Sequence, residues 1–142
     1  MTATADLGAL YRSLDHRLEA QGPEVIDSRI LLTFPYPVDG LEQEVAIDTD
    51  EFTALCPWTG LPDYGTLILR YTPWRSCLEL KSLKYYLLSY RDVGIVQEHV
   101  TDRLLRDLVA ACEPRRMTIT LDYKVRGGLH TTTTATYQGH GA

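Results

Sequence analysis

One cysteine of the chain lies in a setting that suits chemistry better than core packing. Cys56 falls within residues 55–65, a stretch with two prolines and two glycines that predicts a structured loop. A catalytic cysteine needs access, thiolate character and a proton donor or acceptor within reach. Asp63, later in the same predicted loop, could be that partner if Pro57 and Gly60 fold the segment back. The alternative interpretation is a buried, inert thiol and a turn-forming aspartate.

A second group of candidate residues is positively charged. On a helix, Lys81 and Lys84 would be neighbours at i and i+3, and two converging ammonium groups would suit a phosphorylated ligand. Arg126 precedes two glycines, which permit close backbone approach, and arginine binds phosphate through two nitrogens. The alternatives are a solvated basic edge for the lysines and a strand-ending turn at Arg126.

Three polar residues precede a predicted helix: Gln97, Glu98 and His99. Glu98 could cap that helix and complement its dipole, or it could accept hydrogen bonds from the N–H edge of a heterocycle. His99 could act as an acid or base, although a lone histidine usually does neither. The sequence has no histidine pair with metal-ligand spacing and no glycine-rich dinucleotide fingerprint. Any nicotinamide cofactor would therefore bind outside a Rossmann domain.

The composition narrows the class of protein. The chain has 142 residues, 44% of them hydrophobic and 23% charged, as expected for one globular domain. Its formal net charge of −5 argues against a broad surface for nucleic acid. Apolar runs fall well short of the roughly 18–20 residues that span a bilayer, and the first residues do not read as a signal peptide. With only 3 cysteines, we expect a cytoplasmic protein with free thiols.

Hydrophobic periodicity predicts the elements that must position these residues. We divide the chain into an N-terminal arm, residues 1–27, with helical spacing over 1–19, and a single domain, residues 28–142. Strands are predicted around residues 30–36, 45–49, 66–71 and 117–125, and helices around 80–90 and 100–112. Two consecutive helices exclude a doubly wound parallel sheet. We therefore expect an α+β fold, an antiparallel sheet with both helices packed on one face, whose open edges favour a ring-like oligomer.

Four segments together resemble the nitrile reductases of the tunnelling fold, the 7-cyano-7-deazaguanine reductases of queuosine biosynthesis. They are the segment Cys56–Asp63, the run ELKSLKYY at Glu79–Tyr86, the pair Gln97-Glu98, and the turn that begins at Arg126. The resemblance covers roughly residues 28–128, and the ELKSLKYY run fits the family pattern at every position.

This resemblance implies a role for each candidate. Cys56 would add to the nitrile carbon as a covalent thioimide, and Asp63 would be the general acid that protonates the nitrile-derived nitrogen. Glu98 would read the pyrimidine-like ring, with Gln97 at a position where the family commonly has histidine. Because a side-chain amide neither gains nor loses a proton near neutral pH, Gln97 could support ring recognition but not proton transfer. The resemblance also implies that Leu78, Glu79 and Leu80 line the substrate pocket and that Lys81, Lys84 and Arg126 face the phosphates of NADPH.

Members of this family form decamers of two face-to-face pentamers with active sites between subunits. The resemblance therefore implies a homo-oligomer that binds a small deazapurine and neither nucleic acid nor a membrane. Three other functions stay open: a relative that transfers ammonia or another amine to the thioimide, a tunnelling-fold pterin enzyme with a zinc or histidine-rich centre, and a non-catalytic base-binding protein. The basic residues favour the reductase over the first, and the lack of a ligand set disfavours the second. Covalent trapping without NADPH consumption would indicate the third.

Overall fold

The structure is a computed structural model that describes residues 6–10, 12, 19–37 and 41–139. Two short 3-10 helices, Pro23–Val25 and Ser28–Ile30, precede the first strand. The strands are β1 (Thr33–Pro35), β2 (Val45–Leu55), β3 (Pro62–Thr72), β4 (Ser76–Leu78), β5 (Arg116–Tyr123) and β6 (Thr132–Gln138). The main helices are α1 (Leu80–Leu88) and α2 (Gln97–Cys112).

The main sheet is antiparallel throughout, with the strand order β2-β3-β5-β6. The short strands β1 and β4 pair with each other in a second, two-stranded sheet. Buried residues alternate along the central strands, for example Leu67 and Leu69 in β3 and Ile119 and Leu121 in β5. Because successive side chains of a strand point to opposite faces, one face of the main sheet is apolar.

Both helices contribute to the core that covers this apolar face. Val100, Leu104 and Leu108 of α2 follow helical spacing and are each 0% exposed, and Tyr86 of α1 belongs to the same buried cluster. Helix α2 ends where Glu113 adopts a left-handed φ of 46°. The predicted α+β fold with an antiparallel sheet is confirmed. Within the described ranges, no helix is both long enough and apolar enough to cross a bilayer.

Several element boundaries differ from the predictions. The predicted loop over residues 55–65 is shorter, because β3 begins at Pro62 and pairs with β2 as far as Leu55. Asp63 therefore lies on a strand and not in the loop. Strands β4 and β6 were not predicted, since β4 has three residues and β6 begins in a run of threonines without polar–apolar alternation.

Most of the predicted helical arm lies outside the described residues. Residues 6–10 are helical, and residues closer to the domain are attached to it. The N–H of Gln21 donates to the carbonyl of Asp92 at 2.7 Å, and Ile26 is 5% exposed. The division into an arm of residues 1–27 and a domain of residues 28–142 stays a prediction.

Candidate active site

A cavity of about 230 Å³ lies at one end of the main sheet, where the loop between β2 and β3, the start of α2 and the turn between β5 and β6 meet. Its lining residues are Cys56, Pro57, Trp58, Asp63, Val96, Gln97, Glu98 and Arg126. The fold thus brings together five residues that the sequence singled out: Cys56, Asp63, Gln97, Glu98 and Arg126.

The loop that carries Cys56 is closed by main-chain hydrogen bonds. The N–H of Cys56 donates to the carbonyl of Leu61, and the N–H of Gly60 donates to the carbonyl of Cys56, both at 2.8 Å. Gly60 has a φ of 74°, a left-handed conformation that favours glycine. Just before the loop, the N–H of Leu55 donates to the carbonyl of Val93 at 2.9 Å. These bonds fix where the Cys56 thiol enters the cavity.

The Cys56 thiol is partly buried, yet its pKa lies below the ordinary value. Burial raises the pKa, but hydrogen bonds from the Thr59 hydroxyl and from the N–H groups of Thr59 and Trp58, with the positive charge of Arg126, more than offset that effect. A larger fraction of thiolate follows at neutral pH, and the thiolate is the nucleophilic form of cysteine.

Asp63 lies near the beginning of β3, on the inward face of the strand. It is opposite Ala54 of β2 in the sheet register, and only 6% of its side chain is exposed. One carboxylate oxygen accepts a charge-assisted hydrogen bond from Nη1 of Arg126. A nearly buried carboxyl group therefore borders the same cavity as a thiol with a lowered pKa.

The first turn of α2 supplies the polar wall of the cavity. Val96 is the N-cap and makes no side-chain capping hydrogen bond, so Glu98 complements the helix dipole from the first turn without acting as the cap. The main-chain carbonyl of Gln97 accepts a long hydrogen bond, 3.5 Å, from the hydroxyl of Tyr123. The start of α2 thus places Gln97 and Glu98 in the lining of the same cavity as Asp63.

The remaining predicted residues, on β4 and α1, do not line this cavity. The N–H of Leu78 donates to the Tyr71 hydroxyl at 3.0 Å. Tyr71 and Asp63 are eight residues apart on β3, which corresponds to about 26 Å at roughly 3.3 Å per residue. Within one chain, the structure does not bring Leu78 and its neighbours to the Cys56 cavity.

Glu79 is the N-cap of α1. Its two carboxylate oxygens accept hydrogen bonds from the N–H groups of Lys81, at 2.8 Å, and Ser82, at 2.7 Å. The N–H groups of Ser82 and Lys81 hold the pKa of the Glu79 carboxyl group below its ordinary value. Glu79 and Lys81 border a cavity of about 580 Å³, and Leu80 and Lys84 border a separate groove of about 280 Å³ between α1 and β2. Leu78 is buried, so its side chain packs in the core.

Two residues at the site were missed by the sequence analysis. Thr59 stabilises the Cys56 thiolate, and its position three residues after a cysteine in a proline- and glycine-rich loop was an available signal. Tyr123 falls within the strand predicted around residues 117–125, and no sequence pattern reveals its contact with Gln97. In the part of the chain that the structure describes, no group of three or more His, Cys, Asp and Glu side chains could hold a metal ion.

Comparison with known proteins identifies the family. The family model for QueF-like protein matches residues 62–141. The NADPH-dependent 7-cyano-7-deazaguanine reductase of Anaeromyxobacter dehalogenans is 53% identical over 108 residues, which cover 76% of this chain and 88% of that protein. The protein of the same name from Caldicellulosiruptor bescii is 46% identical over 122 residues, covering 86% of this chain and 93% of that one. This chain belongs to the QueF-like family.

A solved structure agrees with this membership at the level of the fold. The crystal structure of the archaeosine synthase QueF-Like in the apo form matches with a TM-score of 0.63 and 24% sequence identity. The match covers 68% of this chain and 94% of that one. At this identity the likeness shows the shared QueF-like fold alone. The family resemblance read from the Cys56, Glu79, Glu98 and Arg126 segments is confirmed by the family match.

Proposed function

We propose that this chain reduces the nitrile of 7-cyano-7-deazaguanine to the primary amine with NADPH, a step of queuosine biosynthesis. One observation supports this most directly: the cavity combines a thiol of lowered pKa, Cys56, with a nearly buried carboxyl group, Asp63. The chain that carries this pair is 53% identical to a protein named as such a reductase.

The proposed chemistry begins with the covalent step. A nitrile carbon accepts hydride poorly, because nothing stabilises the charge that develops on the nitrogen. The Cys56 sulfur forms a bond to that carbon while the thiol proton passes to the Asp63 carboxylate, one π bond of the nitrile breaks, and the nitrogen takes that proton from Asp63. The resulting thioimide has a C=N group that accepts hydride more readily. Nucleophilic and general-acid catalysis thus act on the same substrate from neighbouring side chains.

When bound, NADPH supplies hydride, and two hydrides are needed to take the thioimide to the amine. We propose that Lys81, Lys84 and Arg126 hold its phosphates. The side chains of Lys81 and Lys84 are exposed in the first turns of α1, where the positive end of the helix dipole also favours anions. Arg126 is 57% exposed at the Cys56 cavity. These donors suit phosphate, since each is a cation that solvent can reach.

We further propose that each complete site lies between two copies of the chain. The residues proposed to line the substrate pocket from one side, Leu78, Glu79 and Leu80, lie at the opposite end of the sheet from Cys56. The Cys56 cavity is also smaller than the roughly 300–1,000 Å³ typical of small-molecule sites. Trp58 and Leu129, large apolar residues near the cavity, are 70% and 75% exposed. A second copy would cover such residues, as in the predicted ring-like homo-oligomer, a decamer of two pentamers.

The covalent step is tested by mixing the purified protein with 7-cyano-7-deazaguanine and then adding NADPH. Mass spectrometry should detect an adduct on Cys56, and absorbance should then follow oxidation of NADPH. The Cys56→Ala variant should form no adduct and oxidise no NADPH. The Cys112→Ala variant, which removes a buried thiol in α2, is the matched control and should form the adduct and oxidise NADPH. Substrate-dependent NADPH oxidation by Cys56→Ala would refute the covalent scheme, and an adduct without NADPH oxidation would favour an amine-transfer or base-binding protein.

The shared site is tested by complementation between inactive variants. When Cys56→Ala and Glu79→Gln chains are co-assembled in equal amounts, about a quarter of the sites should combine two unaltered halves and regain activity. The control pairs Cys56→Ala with Asp63→Asn. Both changes fall in the same half of the site, so no mixed site is intact and no activity should return. If neither mixture regains activity, the two-copy site is wrong.

A further inference from the structure

Arg126 contacts the proposed general acid directly. Its Nη1 donates to Oδ1 of Asp63, and the two side chains are 57% and 6% exposed respectively. Because the exposed partner lies on the solvent side of the buried one, the guanidinium reaches the carboxyl group from the mouth of the cavity. Arg126 thus has a contact inside the site that does not involve the cofactor.

A tight turn between β5 and β6 fixes the main-chain position of Arg126. Arg126 and Leu129 exchange two main-chain hydrogen bonds, both 2.9 Å long. Between them, Gly127 and Gly128 have φ angles of 57° and 80°, a pair of positive values that fits a type I′ turn. A Cβ at either glycine would meet no atom within 4 Å, so the backbone conformation and not the space requires glycine. The turn fixes the start of the Arg126 side chain relative to β3.

Arg126 offsets part of the negative charge around Cys56. The charged side chains that line the cavity are Asp63 from β3, Glu98 from α2 and Arg126 from the turn. Among these described lining residues, Arg126 is the one cation, and a thiolate at Cys56 would otherwise face two carboxyl groups. Burial raises the pKa of the Cys56 thiol, whereas the hydrogen bonds from Thr59 and Trp58 and, to a smaller extent, the Arg126 charge lower it.

We propose that Arg126 is a positioning residue of the covalent step. It holds the Asp63 carboxylate toward the cavity, and its positive charge favours a thiolate at Cys56 beside Asp63 and Glu98. This role rests on the proposed reductase function but acts before any hydride is transferred. It therefore differs from a role in holding cofactor phosphates, which has no effect while NADPH is absent.

The experiment measures adduct formation on Cys56 without NADPH. Wild-type protein, Arg126→Gln, Arg126→Lys and the control Lys124→Gln are mixed with 7-cyano-7-deazaguanine, and the adduct is followed by mass spectrometry. Alkylation of Cys56 by iodoacetamide over a range of pH values reports the thiolate without substrate. Lys124 is an exposed cation on the same turn segment, outside the cavity lining, so its variant should match the wild type. Circular dichroism verifies that each variant is folded.

We expect Arg126→Gln to move the alkylation midpoint to higher pH and to slow adduct formation at neutral pH, by up to about tenfold for each unit of that movement. Arg126→Lys should have an alkylation midpoint close to that of the wild type, because it keeps the positive charge. Its adduct should form more slowly than in the wild type, because lysine lacks the planar fork of arginine. These two results together support the proposal.

Two outcomes would overturn the proposal while leaving the reductase function intact. One is an Arg126→Gln variant with the wild-type adduct rate and alkylation midpoint. The other is an Arg126→Lys variant as slow and as shifted as Arg126→Gln, which would indicate structural damage in place of a charge effect. If the wild type forms no adduct, the proposed function fails, and the alkylation midpoints still decide whether Arg126 acts on Cys56.

Discussion

Replacement of Asp63 by asparagine should slow catalysis severely while leaving the fold nearly unchanged. Asparagine has almost the same shape, and its amide oxygen can still accept a hydrogen bond from Arg126. The ion pair that is lost includes an arginine that is 57% exposed, so solvent screens it. We expect the free energy of unfolding to fall by about 1 kcal/mol or less.

The expected loss of rate is much larger. General-acid assistance contributes about 10²–10⁴-fold, or about 2.7–5.5 kcal/mol of the barrier. The amide of Gln97, at the same cavity, cannot replace the acid because it does not release a proton near neutral pH. The kcat of Asp63→Asn should therefore fall by at least about a hundredfold, whereas substrate binding should change little.

Three measurements separate these effects. Loss of NADPH absorbance gives turnover, single-turnover mass spectrometry gives the rate of adduct formation on Cys56, and thermal denaturation gives stability. Asp122→Asn is the matched control, since Asp122 lies on β5, is half exposed and pairs with His130. A kcat for Asp63→Asn within a few-fold of the wild type would refute the assignment of Asp63 as the acid. A collapse of stability would refute the argument from screening.

Three further predictions concern the thiols and the core. Because its pKa is lowered, Cys56 should stay a thiolate to lower pH than a free cysteine, whereas burial raises the pKa of Cys112 to about 12. Iodoacetamide at neutral pH should therefore modify Cys56 before Cys112, and peptide mass spectrometry would identify the modified residue. Leu104→Ala should cost about 2–5 kcal/mol in urea unfolding, since Leu104 is 0% exposed in α2; a loss under about 1 kcal/mol contradicts this. Tyr86→Phe should cost about 1–3 kcal/mol, since its buried hydroxyl donates to Asp107 at 2.6 Å; an unchanged unfolding midpoint would show that bond to be dispensable.

The parts of the fold that the sequence predicts are those with strong alternation or a clear helical stripe. In β5, Met117 to Tyr123 alternate between buried and more exposed positions, and in α2 Val100 to Cys112 form one buried stripe. Strand β6 lacks such a signal, because its threonines are similar on both faces. Its place in the sheet depends on pairing with β5, for example Thr134 opposite Thr120, which only the folded chain reveals.

The position of Asp63 shows how local residue preferences can mislead. Pro62 and Gly65 are typical of turns, and they led to the prediction of a loop. In the structure Pro62 is the first residue of β3, a position where proline is tolerated in a strand. Gly65 fits because the ring of Tyr123 packs beside it, 3.2 Å from where a Cβ would lie. Contacts between distant segments therefore override the local preference, and they turn Asp63 inward.

Candidate residues were recognisable by type, but their grouping was not. Arg126 follows Asp63 by 63 positions, and no spacing rule indicates that the two side chains form an ion pair. Conversely, Glu79 stands closer to Asp63 in the sequence, yet it caps α1 at the far end of the sheet. Separation in the sequence therefore does not indicate which residues share a cavity. Here β3 runs the length of the sheet and separates Asp63 from the end at which Glu79 lies.

The positions of the charged groups imply that two copies of the chain supply different parts of the site. The groups that would prepare the covalent bond, Cys56, Asp63 and Arg126, already meet within one chain. The groups proposed to complete the pocket, Glu79 with Lys81, are held elsewhere by α1. If a second copy supplies them, separation of the copies should abolish reduction while the alkylation of Cys56 keeps its low pH midpoint. Nucleophile activation would then be a property of the single chain, whereas substrate and cofactor binding would depend on assembly.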